Sequence, residues 1–168
     1  RVRDFARKIE NISGLKGLMV TKKGYSENAI QEAASDKIDL LVIREQKAHC
    51  IEGALLAALA LRLHGHKPLV LDLTSTQHDF DHVVAPFYMH NAWGAISKTN
   101  HAVLRYREPV YKSIRELVMS YFHEYFLTDG KKTLREYSDL FDLNRLNKLN
   151  WRTTDKNLWE IHGHLDQA

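Results

Sequence analysis

The chain has 168 residues, of which 44% are hydrophobic and 27% charged, with a formal net charge of +3. That length and composition fit a soluble globular domain with its own core. They exclude a membrane-spanning helix, because no apolar run reaches the roughly 18 residues a span needs. A single cysteine excludes an internal disulfide and points to a reducing cytoplasm.

Read from the N-terminus, Val2, Phe5, Ala6, Ile9 and Ile12 recur at helical spacing, so residues 2–12 read as an amphipathic helix. This charged opening, "RVRDFARKIE", is unlike a secretory signal. "GLMVT" (17–21) reads as a short strand, Ser26 as the cap of a helix to about residue 35, and "IDLLVI" (38–43) as a buried strand. A helix follows from about Cys50 to His64, closed by Gly65 in the left-handed position. "PLVLDL" (68–73) is a buried strand. After a polar loop, "HVVAPFYMH" (82–90) and "WGAIS" (93–97) form a hairpin turning near Asn91. "KTNHAVLRYREP" reads as irregular, Pro109 as suited to the start of a helix over 111–127 that closes near Gly130, and 131–168 as one or two short helices. The fold class is α+β, or mixed α/β.

The cysteine stands at the head of an apolar helix, in "AHCIEGALLAALALRLHG". A helix N-terminus presents unpaired N–H groups and a positive partial charge, which favour thiolate over thiol and stabilise an oxyanion during acyl transfer. Such a nucleophile needs a base, usually a histidine held by a third group. Of the ten histidines, His82 opens the strand two elements beyond the cysteine helix. The opposing reading is that Cys50 packs as a small hydrophobe.

Cys at the head of a helix, His at the start of a strand and Trp93 in the returning strand resemble the transglutaminase-like superfamily, within the papain-like cysteine enzymes. The resemblance covers about residues 46–130, through "AHCIEGALLAALALRLHG", "LVLDL", "DHVVAPFY" and "WGAISKTNHAVLRYREPVYKSIRELVMSYF", and is to an uncharacterised bacterial branch. It implies Cys50 as nucleophile and His82 as general base. It also implies an Asp four residues after the hairpin Trp, where this chain has Ser97. Asn100 is an alternative orienting residue, as the amide is in papain-like enzymes, and Gln46 a candidate oxyanion donor.

Residues 1–45 resemble something else. "ISGLKGLMVTKKGYSENAIQEAASDKIDLLVIRE" is similar to the last strand-helix-strand of restriction-endonuclease-like nucleases, without their catalytic residues. Strand-helix-strand units also recur in many folds. Two units are expected, an α/β unit over 1–45 and a transglutaminase-like core with a helical tail over 46–168, with one compact domain overall as the alternative. A natural fusion, a truncated product or a chimeric chain would each have this layout.

Other features have plainer readings. "QHDFDH" holds His78, Asp79, Asp81 and His82, residue types that bind Zn or Mn, but the spacing suits a polar active-site loop and no metal or cofactor is expected. The basic residues of 1–25 and of "RYREPVYKSIR" read as solvated faces, with nucleic-acid binding the alternative. Tyr121, Phe122, Tyr125 and Phe126 read as a core stripe, with a partner groove the alternative. The first "HGH" (64–66) reads as a helix end and the second (162–164) as an exposed helix face.

The expected function is thiol-dependent acyl transfer or amide hydrolysis on a protein or peptide. The alternative is a non-catalytic protein-binding or antitoxin-like module of a bacterial defence locus.

Overall fold

The computed structural model describes residues 49–149 and 151. The unit expected over 1–45, Gln46 and the second "HGH" lie outside the described residues. Within them the chain is a three-layer α+β structure: one helix, an antiparallel sheet and a second helix.

Helix α1 runs Cys50–Leu63. At its start the His49 N–H donates to the Glu52 carboxylate at 2.7 Å, satisfying a donor the helix cannot. Its end is built as the sequence requires. Gly65 has φ +83, its N–H bonds Arg62 O at 2.9 Å, and the His66 N–H bonds Leu61 O at 3.0 Å.

Strand β1 (Leu69–Ser75) pairs antiparallel with β2 (His82–Met89), and β2 with β3 (Ala92–Ile96). His90 and Asn91, both with positive φ, form the two-residue turn between β2 and β3 that suits the twist of a hairpin. Beyond a short 3₁₀ turn (Ala102–Leu104) comes β4 (Tyr106–Tyr111), then helix α2 (Ile114–Phe122), β5 (Leu134–Tyr137) and β6 (Phe141–Asp142). A 3₁₀ helix, Leu143–Leu149, closes the described part. The strand order is β4-β3-β2-β1-β5, with β6 also on β1.

Strand alternation divides the core in two. Val70, Val83, Ala85 and Phe87 face α1, joined by Phe141, Leu143, Leu146 and Trp151. Leu71, Leu73, Val84 and Ala95 face the other way, onto Leu117, Val118 and Tyr121 of α2 and Tyr125 beyond it.

Three expectations for the C-terminal half are corrected. "YREPVY" is strand β4, not irregular chain, and Pro109 lies inside it. β4 is an edge strand, where a missing backbone donor is tolerated. Helix α2 accordingly starts later, at Ile114, capped by Ser113, whose Oγ accepts from the Glu116 N–H at 3.1 Å. It ends at Phe122, so Gly130 closes a turn instead, its N–H bonding Leu127 O at 2.8 Å. In the segment after it two short strands, β5 and β6, precede the short 3₁₀ helix Leu143–Leu149, and the rest of the expected helical tail, 152–168, lies outside the described residues.

Candidate active site

Cys50 is the first residue of α1 and is half-buried. Its thiol donates to the backbone carbonyl of Asp81 at 3.9 Å. The sulfur therefore lies against the residue immediately before His82.

The loop that makes this approach is held at successive residues. Asp79 Oδ2 accepts from the Thr133 hydroxyl at 2.6 Å. The Tyr125 hydroxyl donates to the Phe80 carbonyl. Asp81 Oδ1 accepts from the Ser75 N–H at 2.7 Å. Both loop aspartates are thus engaged in shaping the loop. Among the described residues no three His, Cys, Asp or Glu side chains converge on a metal-sized site.

His82 opens β2 opposite Leu73, so its ring shares the face of Leu73 and Val84. The ring is buried, with 8% of the residue exposed, and its Nε2 has no hydrogen-bond partner. Burial disfavours the imidazolium and pushes the His82 pKa down to about 4, helped by the nearby charges of Lys98 and His101. At neutral pH the ring is uncharged.

The third position follows from the hairpin register. Ala85 pairs with Ile96, and the next pair along sets Val84 opposite Ser97. Ser97 is then diagonal to His82 on one face, where side chains lie within reach of each other. Its hydroxyl, however, donates to the Leu104 carbonyl at 2.6 Å. Asn100 is exposed in the loop after β3, and no described hydrogen bond joins it to His82.

Sequence reasoning did not single out Lys98, His101 or Tyr125 as neighbours of the site. Their placement depends on how the loop after β3 and the chain after α2 return to the sheet end, which no local pattern encodes. Neither a protein-family model nor a curated protein matches the chain.

Proposed function

We propose that this chain carries out thiol-dependent acyl transfer or amide hydrolysis on a protein or peptide, with Cys50 as nucleophile and His82 as proton carrier. The observation that carries this reading is the 3.9 Å approach of the Cys50 thiol to the Asp81 carbonyl at the head of α1. The order of helix, strand, His-bearing strand and Trp-bearing strand supports a transglutaminase-like core.

The chemistry follows from the groups present. The thiol gives its proton to the neutral imidazole, and the sulfur attacks the substrate carbonyl carbon. N–H groups at the head of α1 stabilise the oxyanion that forms. The C–N bond then breaks, the amine leaves with the proton from the imidazolium, and a thioester remains on Cys50. Water or a second amine resolves the thioester and releases the thiol. A base whose conjugate acid is held near 4 takes up a proton weakly. A lone thiol also suits a reducing compartment.

A second reading, a non-catalytic protein-binding module, is favoured by one observation. The Ser97 hydroxyl is committed to the Leu104 carbonyl, so the position where the resemblance implies an acid does not orient the His82 ring.

The rate of Cys50 alkylation by iodoacetamide against pH, in the parent chain and in His82→Ala, separates the two. Alkylation that is already fast below neutral pH, and slowed in the variant, supports the Cys–His pair. Slow alkylation that ignores His82 removes acyl transfer and leaves the binding module.

A further inference from the structure

We infer that the hairpin end of the sheet, on its α2 face, binds single-stranded nucleic acid, with bases stacking on Tyr88 and Trp93 and a phosphate meeting Lys112. The site is separate from Cys50, since Tyr88 lies at the far end of β2 from His82.

Three aromatic residues stand side by side there. Tyr88 of β2 pairs with Trp93 of β3, and Trp93 pairs with Tyr111 of β4. Paired residues share a face, so the three side chains form a row across adjacent strands. The Tyr88 and Trp93 rings touch, with centres 5.0 Å apart and planes inclined at 58°. That contact holds the rings in place before a ligand arrives, which lowers the entropy lost on binding. The row runs outward from the core. Trp93 and Tyr111 are partly buried against the residues packed under α2, whereas Tyr88 is 49% exposed. Tyr88 is on the core side of its strand, in line with Val84, yet α2 leaves it uncovered.

The charge beside the row suits an anion. From Tyr88 to Glu116 the chain has five Lys and Arg, two Glu and no Asp. Glu108 is on the opposite face, bonded by the hydroxyl of Tyr106, whose ring stacks on Phe87. The Lys112 ammonium is 3.4 Å from the Asn91 carbonyl, in the turn just before β3, and among the described residues it forms no ion pair. Arg115 is exposed in the first turn of α2. Glu116 beside it accepts from the Lys112 N–H at 2.7 Å, and the two cations outweigh its one negative charge.

Aromatic faces take any base and cations take any phosphate, which is how single strands are held without regard to sequence. A proline-rich peptide also lies against Tyr and Trp rings, but it makes no use of Lys112 and Arg115. The tyrosines of "RYREPVYKSIR" are thus divided, Tyr111 in the row and Tyr106 on the other face.

The test is fluorescence anisotropy of a labelled oligodeoxythymidylate of about ten nucleotides, titrated with the full chain at low salt. It should bind more tightly than a duplex of the same length, whose bases are closed to stacking. Tyr88→Ala should weaken binding about tenfold, as the loss of one stacked base does, and Tyr88→Phe should leave it nearly unchanged. Lys112→Gln should weaken it about threefold and reduce the salt slope by about one. Tryptophan fluorescence should fall on binding, and Trp93→Phe should remove that fall.

Absence of binding at low salt overturns the inference, and so does equal affinity for the duplex. Salt-dependent binding that ignores Tyr88→Ala also overturns it, and assigns the contact to the basic residues of 1–25. A proline-rich peptide that binds through Tyr88 where the oligonucleotide does not makes the row a peptide site and overturns it equally. Tyr88 and Lys112 are both exposed, so their variants should fold, and unchanged circular dichroism would verify it.

Discussion

The hydroxyl of Ser97 donates to the carbonyl of Leu104 at 2.6 Å, while the buried Nε2 of His82, diagonal to it on the same sheet face, has no partner. An orphaned buried donor or acceptor costs about 1–3 kcal/mol. Ser97→Asp should give Nε2 an acceptor and a countercharge, raising the His82 pKa by more than one unit from about 4. Alkylation of Cys50 should quicken with it. The folded state should lose about 1–3 kcal/mol, through the broken Leu104 bond and the buried carboxylate. Ser97→Ala should lose about 1 kcal/mol and leave the histidine titration where it was. Imidazole proton shifts followed by NMR across pH check both. An Asp variant with an unmoved histidine would show that position 97 does not face Nε2.

Arg107 locks the edge strand β4 to helix α2. The side chain is buried, its Nε donates to Ser120 Oγ at 2.8 Å, and Nη2 reaches Ser120 O at 3.1 Å and Glu124 Oε2 at 2.6 Å. Nη1 donates to the Tyr106 carbonyl at 3.2 Å, and the guanidinium lies 4.2 Å from the centre of the Tyr121 ring. A lysine cannot reproduce this planar fork. Arg107→Lys should destabilise the fold by about 3 kcal/mol. Glu124 is largely exposed, so Glu124→Gln should cost about 1 kcal/mol or less. Urea midpoints at constant m separate the two. Equal losses would mean that the ion pair matters more than the hydrogen-bond fork.

The helix bearing Cys50, its glycine stop at Gly65 and the hairpin from His82 were legible because each is specified locally. An apolar run, a positive-φ glycine and strand alternation around a two-residue turn suffice. Strand β4 was not, because its sequence alternates poorly and carries Pro109. Its strand state comes from pairing along β3, a tertiary choice that local propensity does not record. The basic character of "RYREPVYKSIR" was read as a solvated face. That reading fails at Arg107, whose charge is turned inward. Tyr121 and Tyr125 are core, as their spacing suggested, but Phe126 is mostly exposed, because α2 ends before it and helical spacing no longer applies. For the site, the sequence named Cys50 and His82 through motif order. It had no means to show that Ser97 is spent on Leu104, since that bond depends on the 3₁₀ turn returning beneath β3.

Tyr125 acts on the site from a distance. Its hydroxyl holds the Phe80 carbonyl, next to the Asp81 carbonyl that meets the Cys50 thiol. Tyr125→Phe keeps the buried ring and removes only that tether. A loss of about 1 kcal/mol in stability is expected. Amide exchange over residues 76–81 should accelerate, and Cys50 alkylation should change in the same variant. A loop that exchanges as slowly as before would mean that Asp79 and Asp81 hold it without help.

The buried imidazole of His82 also sets an acid limit on stability. Its folded pKa is lowered from 6.5 to about 4. Between those values the unfolded chain binds the proton and the folded chain does not, so the unfolded state gains as pH falls. The contribution of His82 is complete above about pH 6.5, declines as the pH drops, and levels off below about 4 after a loss of about 3 kcal/mol. At pH 5 the parent should be about 2 kcal/mol less stable than at pH 7.5 on account of this residue alone. His82→Leu places an apolar side chain in the same enclosed space and cannot take up a proton. The difference between parent and variant, from urea unfolding at the two pH values, isolates the term from the other histidines. The parent should lose stability on acidification that His82→Leu keeps. Equal losses in both would mean that the ring is reached by water and titrates in the folded state much as it does in the unfolded one.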